Sequence, residues 1–185
     1  MGFHTFDPAR ADALESPDRY RYVSVEELLG ALALTGTQTV ADLGSGTGFY
    51  TDDVAPFADV VYAVDVQPEM HDFYRDKGLP ANVEPVTADI ADLPFDTDEL
   101  DAAVSVMTLH EFVGEDAVRE VARVLSPGGR LTIADWSARG EGDVGPPTDE
   151  RLDAETAAET IATAGFEISR AEERSETFFV IAVRR

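Results

Sequence analysis

The chain has 185 residues, contains no cysteine, and carries 37 acidic against 14 basic residues, a formal net charge of −23. This length fits one compact domain. The absence of cysteine excludes disulfide scaffolds, thiolate metal sites and a cysteine nucleophile. The acidic excess argues against a sequence-independent grip on nucleic-acid phosphates.

The cations are unusual, because Lys77 is the sole lysine and all the others are arginines. An acidic surface almost without lysine resembles that of a cytosolic protein from a high-salt organism, where salt screens self-repulsion. The alternative is an acidic face for a basic partner, but the acids are spread along the chain. Neither a signal-peptide core at the start nor ~20 consecutive apolar residues occur. We therefore predict a halophilic, cytoplasmic protein with neither a membrane nor a nucleic-acid partner.

The first 37 residues lack strand patterning and form a predicted N-terminal helical lid, residues 1–37, ahead of a main domain, residues 38–185. Ser24 is placed to cap a helix that runs to about Leu34, with Glu27 as its capping-box partner. His4 lies in the amphipathic start FHTF. This start either folds over a pocket or is a loosely ordered terminus.

Short apolar segments alternate with amphipathic ones from about residue 38 to residue 135. The apolar segments are TVADL, DVVYAVDV, VEPVTADI, LDAAVSVM and GRLTIADW. Strands that are apolar on both faces are typical of a parallel sheet covered by helices. The helices predicted between them are Gly48–Phe57, Gln67–Lys77 and Glu115–Leu125, and Ser126–Gly129 is a predicted helix stop and turn.

The C-terminal third changes character after a loop at Asp143–Thr148. Asp149–Ala164 reads as a helix, and the last 20 residues read as two antiparallel strands at the sheet edge. The whole pattern predicts an α/β fold with a Rossmann-like, doubly wound, seven-stranded sheet, mostly parallel with a C-terminal antiparallel edge hairpin. An edge strand such as Thr177–Val183 is a candidate surface for a homodimer.

Three alternating glycines, Gly44, Gly46 and Gly48, follow the first predicted strand and precede a helix. Glycine permits positive φ and close approach of backbone to a ligand, while loop amides offer donors at the strand end. The spacing differs from the G-x-G-x-x-G of dinucleotide sites, whose third glycine position is Phe49 here. Asp65 ends the second strand, where a carboxylate can accept both hydroxyls of a ribose. A plain glycine-rich turn with a strand-end aspartate is the alternative.

These segments resemble the motifs of the class I S-adenosylmethionine-dependent methyltransferases, most closely the UbiE-like or type 11 branch. VADLGSGTG is similar to the first motif of that family, the acid of YAVDVQPEM to the second, and TADIADLPF to the third. ELDAAVSVMTLHEF and VLSPGGRLTIADW resemble its fourth-strand and fifth-strand segments. The resemblance implies S-adenosylmethionine as cofactor and a small molecule as methyl acceptor.

The resemblance also implies which residues bind the cofactor. Asp42 is expected to help hold the methionine ammonium, directly or through water, Asp65 to bind the ribose, and Asp89 to contact the adenine amino group. The full expected set is Asp42, Gly44, Ser45, Gly46, Asp65, Val66, Met70, Asp89, Ile90, Ser105 and Val106. The alternatives are core packing for Met70, a turn cap for Asp89, and ordinary strand positions for Ser105 and Val106.

Two residues after the fourth strand, His110 and Glu111, are the catalytic candidates, because an acceptor that carries a proton can need a base. A helix-start position without a chemical role is the alternative for His110. Trp136 is expected either to floor the acceptor site or to shield the sheet edge, and His71 to lie on the outer face of its helix. We predict no catalytic metal, because the segment SVMTLHEF, at the end of the fourth strand, has no acidic residue at its start that could bind one.

Two other functions compete with methyl transfer. The first is a regulatory module that binds the cofactor without transferring its methyl group, because no catalytic signature stands out in the sequence. The second is a nicotinamide-dependent oxidoreductase, which Phe49 at the third glycine position disfavours.

Overall fold

A computed structural model describes residues 6–185, so His4 lies outside the described residues. Seven strands form one sheet in the order β3-β2-β1-β4-β5-β7-β6. They are β1 (Thr39–Leu43), β2 (Val60–Asp65), β3 (Val83–Thr87), β4 (Leu100–Val106), β5 (Leu125–Trp136), β6 (Phe166–Glu173) and β7 (Thr177–Arg184).

The first five strands are parallel, whereas β7 runs antiparallel between β5 and β6. The strand order reverses beside β1, because the chain moves outward to β3 and then returns to β4 on the other side of β1. Open sheets of this kind bind ligands beyond the carboxyl ends of their strands at such a reversal. The predicted fold, including the antiparallel hairpin, is confirmed.

Helices cover both faces of the sheet. Neighbouring strand residues point to opposite faces, so Val40 packs in one apolar cluster with Leu28 of α1, while Ala41 packs in another with Ile161 of α6. Across residues 6–185, no helix has the length and apolar content needed to cross a bilayer. The helices are α1 (Val25–Leu32), α2 (Phe49–Val54), α3 (Pro68–Lys77), α4 (Leu109–Phe112), α5 (Glu115–Val124) and α6 (Ala154–Thr163).

The described part of the N-terminal segment consists of two short 3-10 helices, Pro8–Glu15 and Pro17–Arg21, followed by α1. Ser24 caps α1 as predicted, since its Oγ accepts the backbone N–H of Glu27 at 3.2 Å. The carboxylate of Glu27 instead binds Arg174 and Arg170, so only half of the capping box is present. The helix ends at Leu32, two residues earlier than predicted.

The predicted turn at Ser126–Gly129 is wrong, because β5 already begins at Leu125 and these residues extend it. An irregular register opposite Leu100 and Ala102 accommodates them. The proline and glycines end α5, but the backbone then continues as strand.

Two C-terminal predictions also need correction. The helix expected over Asp149–Ala164 is interrupted, because a 3-10 helix at Thr148–Glu150 precedes α6. Asp153 caps α6 by accepting the N–H of Thr156 at 2.8 Å. Thr177–Val183 is not a free edge, because β7 pairs with strands on both sides. The outer strands of the sheet are β3 and β6.

Candidate functional site

A cavity of about 780 Å³ lies at the carboxyl ends of β1, β2, β4 and β5. Its inner wall is the glycine loop and the strand ends, and part of its outer wall comes from the N-terminal segment. Nearly all of the expected site residues line it: Gly44, Ser45, Gly46, Asp65, Val66, Met70, Asp89, Ile90, Val106, His110 and Glu111. Asp42 and Ser105 do not.

The glycine loop folds tightly against the end of β2, because the N–H groups of Gly44 and Ser45 both donate to the carbonyl of Val64 at 2.8 and 2.9 Å. Gly44 has a φ of +78°, and a Cβ there would lie 2.7 Å from the Cβ of Thr108. A side chain is therefore excluded by both conformation and space. The bare backbone forms the wall of the cavity here.

Asp65 ties this loop to the second strand. Its Oδ2 accepts the N–H of Gly46 at 2.8 Å and its Oδ1 accepts that of Gln67 at 2.9 Å. Burial raises the pKa of Asp65, and these N–H donors oppose that shift. A carboxylate has about four lone-pair sites, so each oxygen can accept a further donor. The geometry suits a ligand with two adjacent hydroxyls.

Ser45 gives an independent sign of a polar ligand. Its hydroxyl is buried and has no hydrogen-bond partner within residues 6–185, although the residue lines the cavity. Buried hydroxyls are normally paired. A ligand that brings a polar group to the glycine loop would satisfy this one.

The floor beside Asp65 is apolar and suits a flat ring. Val66 is 52% exposed and lines the cavity, while the neighbouring wall is formed by Met70 and Ile90, both buried. Asp89 also lines the cavity, and its Oδ1 accepts the N–H of Ala91 at 2.9 Å. The turn-capping role considered for Asp89 is therefore present, and its other oxygen is free of this bond.

Two expected residues lie behind the cavity wall. Asp42 is 3% exposed and accepts the hydroxyl of Thr51 at 2.6 Å. Burial raises its pKa to about 6, against the opposing effects of Thr51 and of the positive charge of Arg19. Ser105 is fully buried, and its hydroxyl has no partner in the described part of the chain. Neither side chain reaches the cavity directly.

At the β4–β5 side of the cavity, His110 forms a pair with Asp135. Its Nδ1 lies 2.9 Å from Oδ1 of Asp135, and its backbone N–H donates to Oδ2 at 2.8 Å. Its Nε2 lies 4.0 Å from Oε1 of Glu111. The sequence does not indicate that Asp135 is the partner of His110, because 25 residues separate the two.

These contacts change the proton affinities of both catalytic candidates. Burial opposes protonation of His110, but hydrogen bonding and charge attraction from Asp135, aided by Glu111 and Glu150, raise its pKa above the ordinary value. Burial raises the pKa of Glu111 to about 7, although the charge of His110 opposes that shift. A carboxyl group whose pKa lies near neutrality in a cleft is suited to proton transfer.

Trp136 is one wall of the same end of the cavity. The ring of Tyr22, from the N-terminal segment, meets it edge to face at 4.8 Å between centroids. Gly145 presses against the ring, since a Cβ there would lie 2.7 Å from it. The sequence-based expectation that Trp136 floors a site agrees with this placement.

His71 does not lie on the outer face of α3, so that expectation is wrong. The side chain is fully buried, with Nδ1 at 3.0 Å from the hydroxyl of Thr87. The imidazole packs between α3 and the β2–β3 end of the sheet, and burial lowers its pKa.

Arg19 is a cavity residue that the sequence pattern did not reveal. Its guanidinium donates to the carbonyl of Leu14 at 2.9 Å and stacks over the rings of Phe49 and Tyr50 at 5.1 and 4.9 Å. Within residues 6–185, no carboxylate lies at ion-pair distance from it. A cation held by aromatic rings beside the glycine loop can receive an anionic group of a ligand.

Comparison with known proteins identifies the family to which this site belongs. Residues 41–133 match the sequence profile of the methyltransferase domain family. A solved S-adenosylmethionine-dependent methyltransferase from Aquifex aeolicus superposes with a TM-score of 0.88 at 30% identity, covering 98% of this chain and 100% of the other.

Curated relatives agree. A methyltransferase-like protein of Schizosaccharomyces pombe is 30% identical over 136 residues, which are 73% of this chain and 52% of that protein. The ubiquinone/menaquinone biosynthesis C-methyltransferase UbiE of Pseudomonas fluorescens is 36% identical over 118 residues, 57% of this chain and 46% of UbiE. The chain thus spans about half the length of the curated relatives it matches. It belongs to the class I S-adenosylmethionine-dependent methyltransferases, in the family of the methyltransferase domain that its residues 41–133 match.

Proposed function

We propose that this protein transfers the methyl group of S-adenosylmethionine to a small-molecule acceptor. The observation that carries the proposal is the carboxylate of Asp65, held by Gly46 and Gln67 beside a glycine loop at the reversal of strand order. In this arrangement the two carboxylate oxygens can accept hydrogen bonds from the two hydroxyls of a ribose. The cavity leaves room for the rest of a nucleoside.

From that ribose contact, we propose that the two ends of the cofactor extend in opposite directions along the strand ends. Adenine lies toward β3, against Val66, Met70 and Ile90, with Asp89 at its amino edge. The methionine moiety lies over Gly44, Ser45 and Gly46, toward Val106 at the end of β4. The partnerless hydroxyl of Ser45 supports this direction, because the methionine end carries the polar groups that would satisfy it.

Arg19 receives the methionine carboxylate in this placement. Its location on the cavity and its lack of a described carboxylate partner support the assignment. Asp42 and Ser105 act from behind the wall, Asp42 by adding negative charge near the ammonium and by holding α2 through Thr51. For Asp42, an indirect contact is one of the two forms that the sequence-based expectation allows.

The acceptor lies at the β4–β5 end, between the methyl group and His110. When bound, the cofactor supplies a methyl group already activated by the positive charge on sulfur. His110 is proposed as the base that receives an acceptor proton, and Glu111 as the carboxylate that stabilises the protonated ring. Holding the acceptor in line supplies much of the rate acceleration in such transfers.

The N-terminal segment, residues 1–37, is proposed as a lid. In its described part, the carbonyl of Phe6 accepts the side-chain N–H of Gln67 at 3.0 Å, and Glu15 binds both Thr47 and Lys77. These bonds join the segment to the loop and helix that border the nucleoside. The main domain, residues 38–185, then supplies the cofactor site.

The charge pattern supports a proposal about where the protein works and what it binds. A net charge of −23 with a single lysine suits a halophilic, cytoplasmic enzyme, because concentrated salt screens the repulsion. It also disfavours a nucleic acid as acceptor. A homodimer would use β3 or β6, the outer strands of the sheet, rather than β7.

Calorimetry in molar salt tests the proposal, with wild type, Asp65→Ala and the control Asp59→Ala. Asp59 is exposed and precedes the opposite end of β2. We expect S-adenosylmethionine to bind wild type and the control equally. Asp65→Ala should bind it about 10- to 100-fold more weakly, because the variant loses hydrogen bonds to a charged acceptor. Folded wild type that shows no binding, or unchanged affinity in Asp65→Ala, would overturn the proposal.

A further inference from the structure

Asp135 is a buried acid that the cofactor placement leaves unused. Its side chain is 1% exposed at the end of β5. It accepts the backbone N–H of His110 at 2.8 Å and that of Trp136 at 2.7 Å, and it bonds the imidazole of His110 at 2.9 Å. All three bonds go to residues at the acceptor end of the cavity.

These bonds fix the proton on one nitrogen of His110. An ionised carboxylate can only accept hydrogen bonds, so Nδ1 must carry a hydrogen to bond Asp135. In the neutral ring, Nε2 then has the free lone pair. Since His110 lines the cavity, a base with a set orientation results.

The residues around His110 indicate which kind of acceptor this end of the cavity can bind. The walls beside His110 are mostly apolar, formed by Tyr22, Met107, Phe112, Trp136, Pro146 and Pro147. The charged groups nearest to His110 are acids, namely Asp135, Glu111 and Glu150. Such an end favours a flat, apolar and uncharged molecule and repels an anion.

A cationic acceptor fits less well. Arg151 already lies over the ring of Trp136, 5.7 Å from its centroid, and Arg10 and Arg19 line the same cavity. Trp136 therefore already has a cation beside its ring.

Building on the proposed function, we propose that Asp135 is a positioning residue that orients His110, and that the acceptor is an uncharged molecule with a hydroxyl on an apolar ring. The hydroxyl oxygen forms a bond to the methyl carbon of S-adenosylmethionine. The carbon–sulfur bond breaks with its electron pair going to sulfur, and the hydroxyl proton goes to Nε2 of His110. The products are a methyl ether, S-adenosylhomocysteine and a protonated His110.

The need for a base favours a hydroxyl over a carboxylate or an amine. A carboxylate is already ionised at neutral pH, and a neutral amine attacks through its lone pair before it loses a proton. A phenol-like hydroxyl, with a pKa of about 10, is protonated at neutral pH, and an apolar site makes its ionisation harder still. An oriented base lowers this barrier by accepting the proton as the bond forms.

The proposal predicts a pH dependence that follows His110. The groups facing the imidazole are Asp135 from β5, Glu111 from α4 and Glu150 from the 3-10 helix, and the arginines across the cavity are Arg10 and Arg19. His110 is a base only when neutral, so methyl transfer rises as the pH rises through its pKa. Removing the charge of Asp135 lowers that pKa, so the rise moves to lower pH while the plateau rate falls.

The first test is an NMR titration of the protein without ligand, on wild type, Asp135→Asn and the control Asp143→Asn. With three histidines in the chain, the His110 resonances are assigned with His110→Gln. We expect nitrogen shifts of the Nδ1–H tautomer in wild type, and a lower pKa for His110 in Asp135→Asn but not in the exposed control. An Nε2–H tautomer in wild type overturns the proposal, even if Asp135→Asn does not fold.

The second test measures transfer of a tritiated methyl group to three probes. They are 2-naphthol, its methyl ether 2-methoxynaphthalene, and the anionic 6-hydroxy-2-naphthoate. We expect label only in 2-naphthol, recovered as its methyl ether. Asp135→Asn should transfer this label at least about 100-fold more slowly than wild type. Label in the ether probe, preference for the anion, or no label in 2-naphthol overturns the acceptor assignment. Calorimetry with S-adenosylmethionine on the same samples separates this from failure of the proposed function, which predicts binding in every variant.

Discussion

The proposed cofactor half of the cavity, over β1 to β3, and the proposed acceptor half, over β4 and β5, are built in different ways. The inner wall of the cofactor half consists of backbone and contacts between neighbouring segments, such as Gly46 bonded to Asp65 only 19 residues away. The acceptor half gathers side chains from four separate segments, among them Tyr22, His110, Trp136 and Glu150. A contiguous strand–loop–strand unit can preserve binding of one ligand across related proteins, while side chains from separate segments can be substituted to suit different acceptors.

The two halves also differ in how their buried acids are used. Asp42, in the cofactor half, is sealed behind the loop and bonded to Thr51. Glu111, in the acceptor half, faces the cavity, and burial raises its pKa to about 7. The first acid holds α2 in place, while the second is proposed to stabilise protonated His110.

Gly44→Ala is expected to have the largest effect, because it places a Cβ against Thr108 in a backbone of positive φ. We expect a loss of about 3 kcal/mol or more in the free energy of unfolding, and loss of S-adenosylmethionine binding. Thermal unfolding and calorimetry measure both. The control is Gly36→Ala, which also has positive φ but open space around it. Equal behaviour of the two variants would show that close packing of the loop is not required.

Asp42→Asn tests the sealed acid through pH. The pKa of Asp42 in the folded protein, about 6, lies above its ordinary value of 3.8, so the folded state binds this proton more tightly than the unfolded state. Wild type should therefore gain stability as pH falls from about 7 to about 4, relative to Asp42→Asn, by up to about 3 kcal/mol. Chemical denaturation at each pH measures the difference. An unchanged difference across this range would mean that Asp42 is not desolvated.

Arg19→Met separates the methionine end of the cofactor site from the nucleoside end. Loss of a charged hydrogen bond should weaken S-adenosylmethionine binding by about 10-fold or more. Binding of 5′-methylthioadenosine, which has no carboxylate, should not change. Arg21→Met, in the same 3-10 helix, is the control. A parallel loss for both ligands would assign Arg19 to holding the lid rather than to the carboxylate.

Lys77→Met is expected to have the smallest effect. Lys77 joins Glu15 of the N-terminal segment to Asp52 of α2, at 3.2 and 2.9 Å. Partly exposed ion pairs contribute about 0.2 to 1 kcal/mol, so the dissociation constant for S-adenosylmethionine should rise about 1.4- to fivefold at low salt. The difference should shrink in molar salt. Arg119→Met, which removes an exposed ion pair of α5, should change neither value.

Most of the residues expected to bind the cofactor line the cavity, because the sequence signals that identify them are local. Gly44 and Asp65 each stand at a strand end that the apolar pattern identifies, and parallel strands bring such ends to one edge. His110 was found by the same reasoning, since it follows β4. Its partner Asp135 was not, because the pairing requires the register of β4 against β5.

Errors arose where burial depends on what packs outside an element. His71 was expected to be exposed, yet α3 buries it against the sheet beside Thr87. The sequence leaves open whether Asp42 holds the ligand directly or through water, and Thr51 at the start of α2 holds its side chain behind the loop. Arg19 gave no signal, because a single cation in a segment without strand pattern can point in any direction.

The sequence by itself determined the parallel sheet, the glycine loop and the acid that closes it, because alternation of apolar segments and positive φ are properties of neighbouring residues. Only the tertiary structure decided that Asp135 pairs with His110 and that Arg19 and Tyr22 reach the cavity from the N-terminal segment. Those contacts join residues far apart in the chain, and their geometry follows from how strands align and helices pack rather than from local preference.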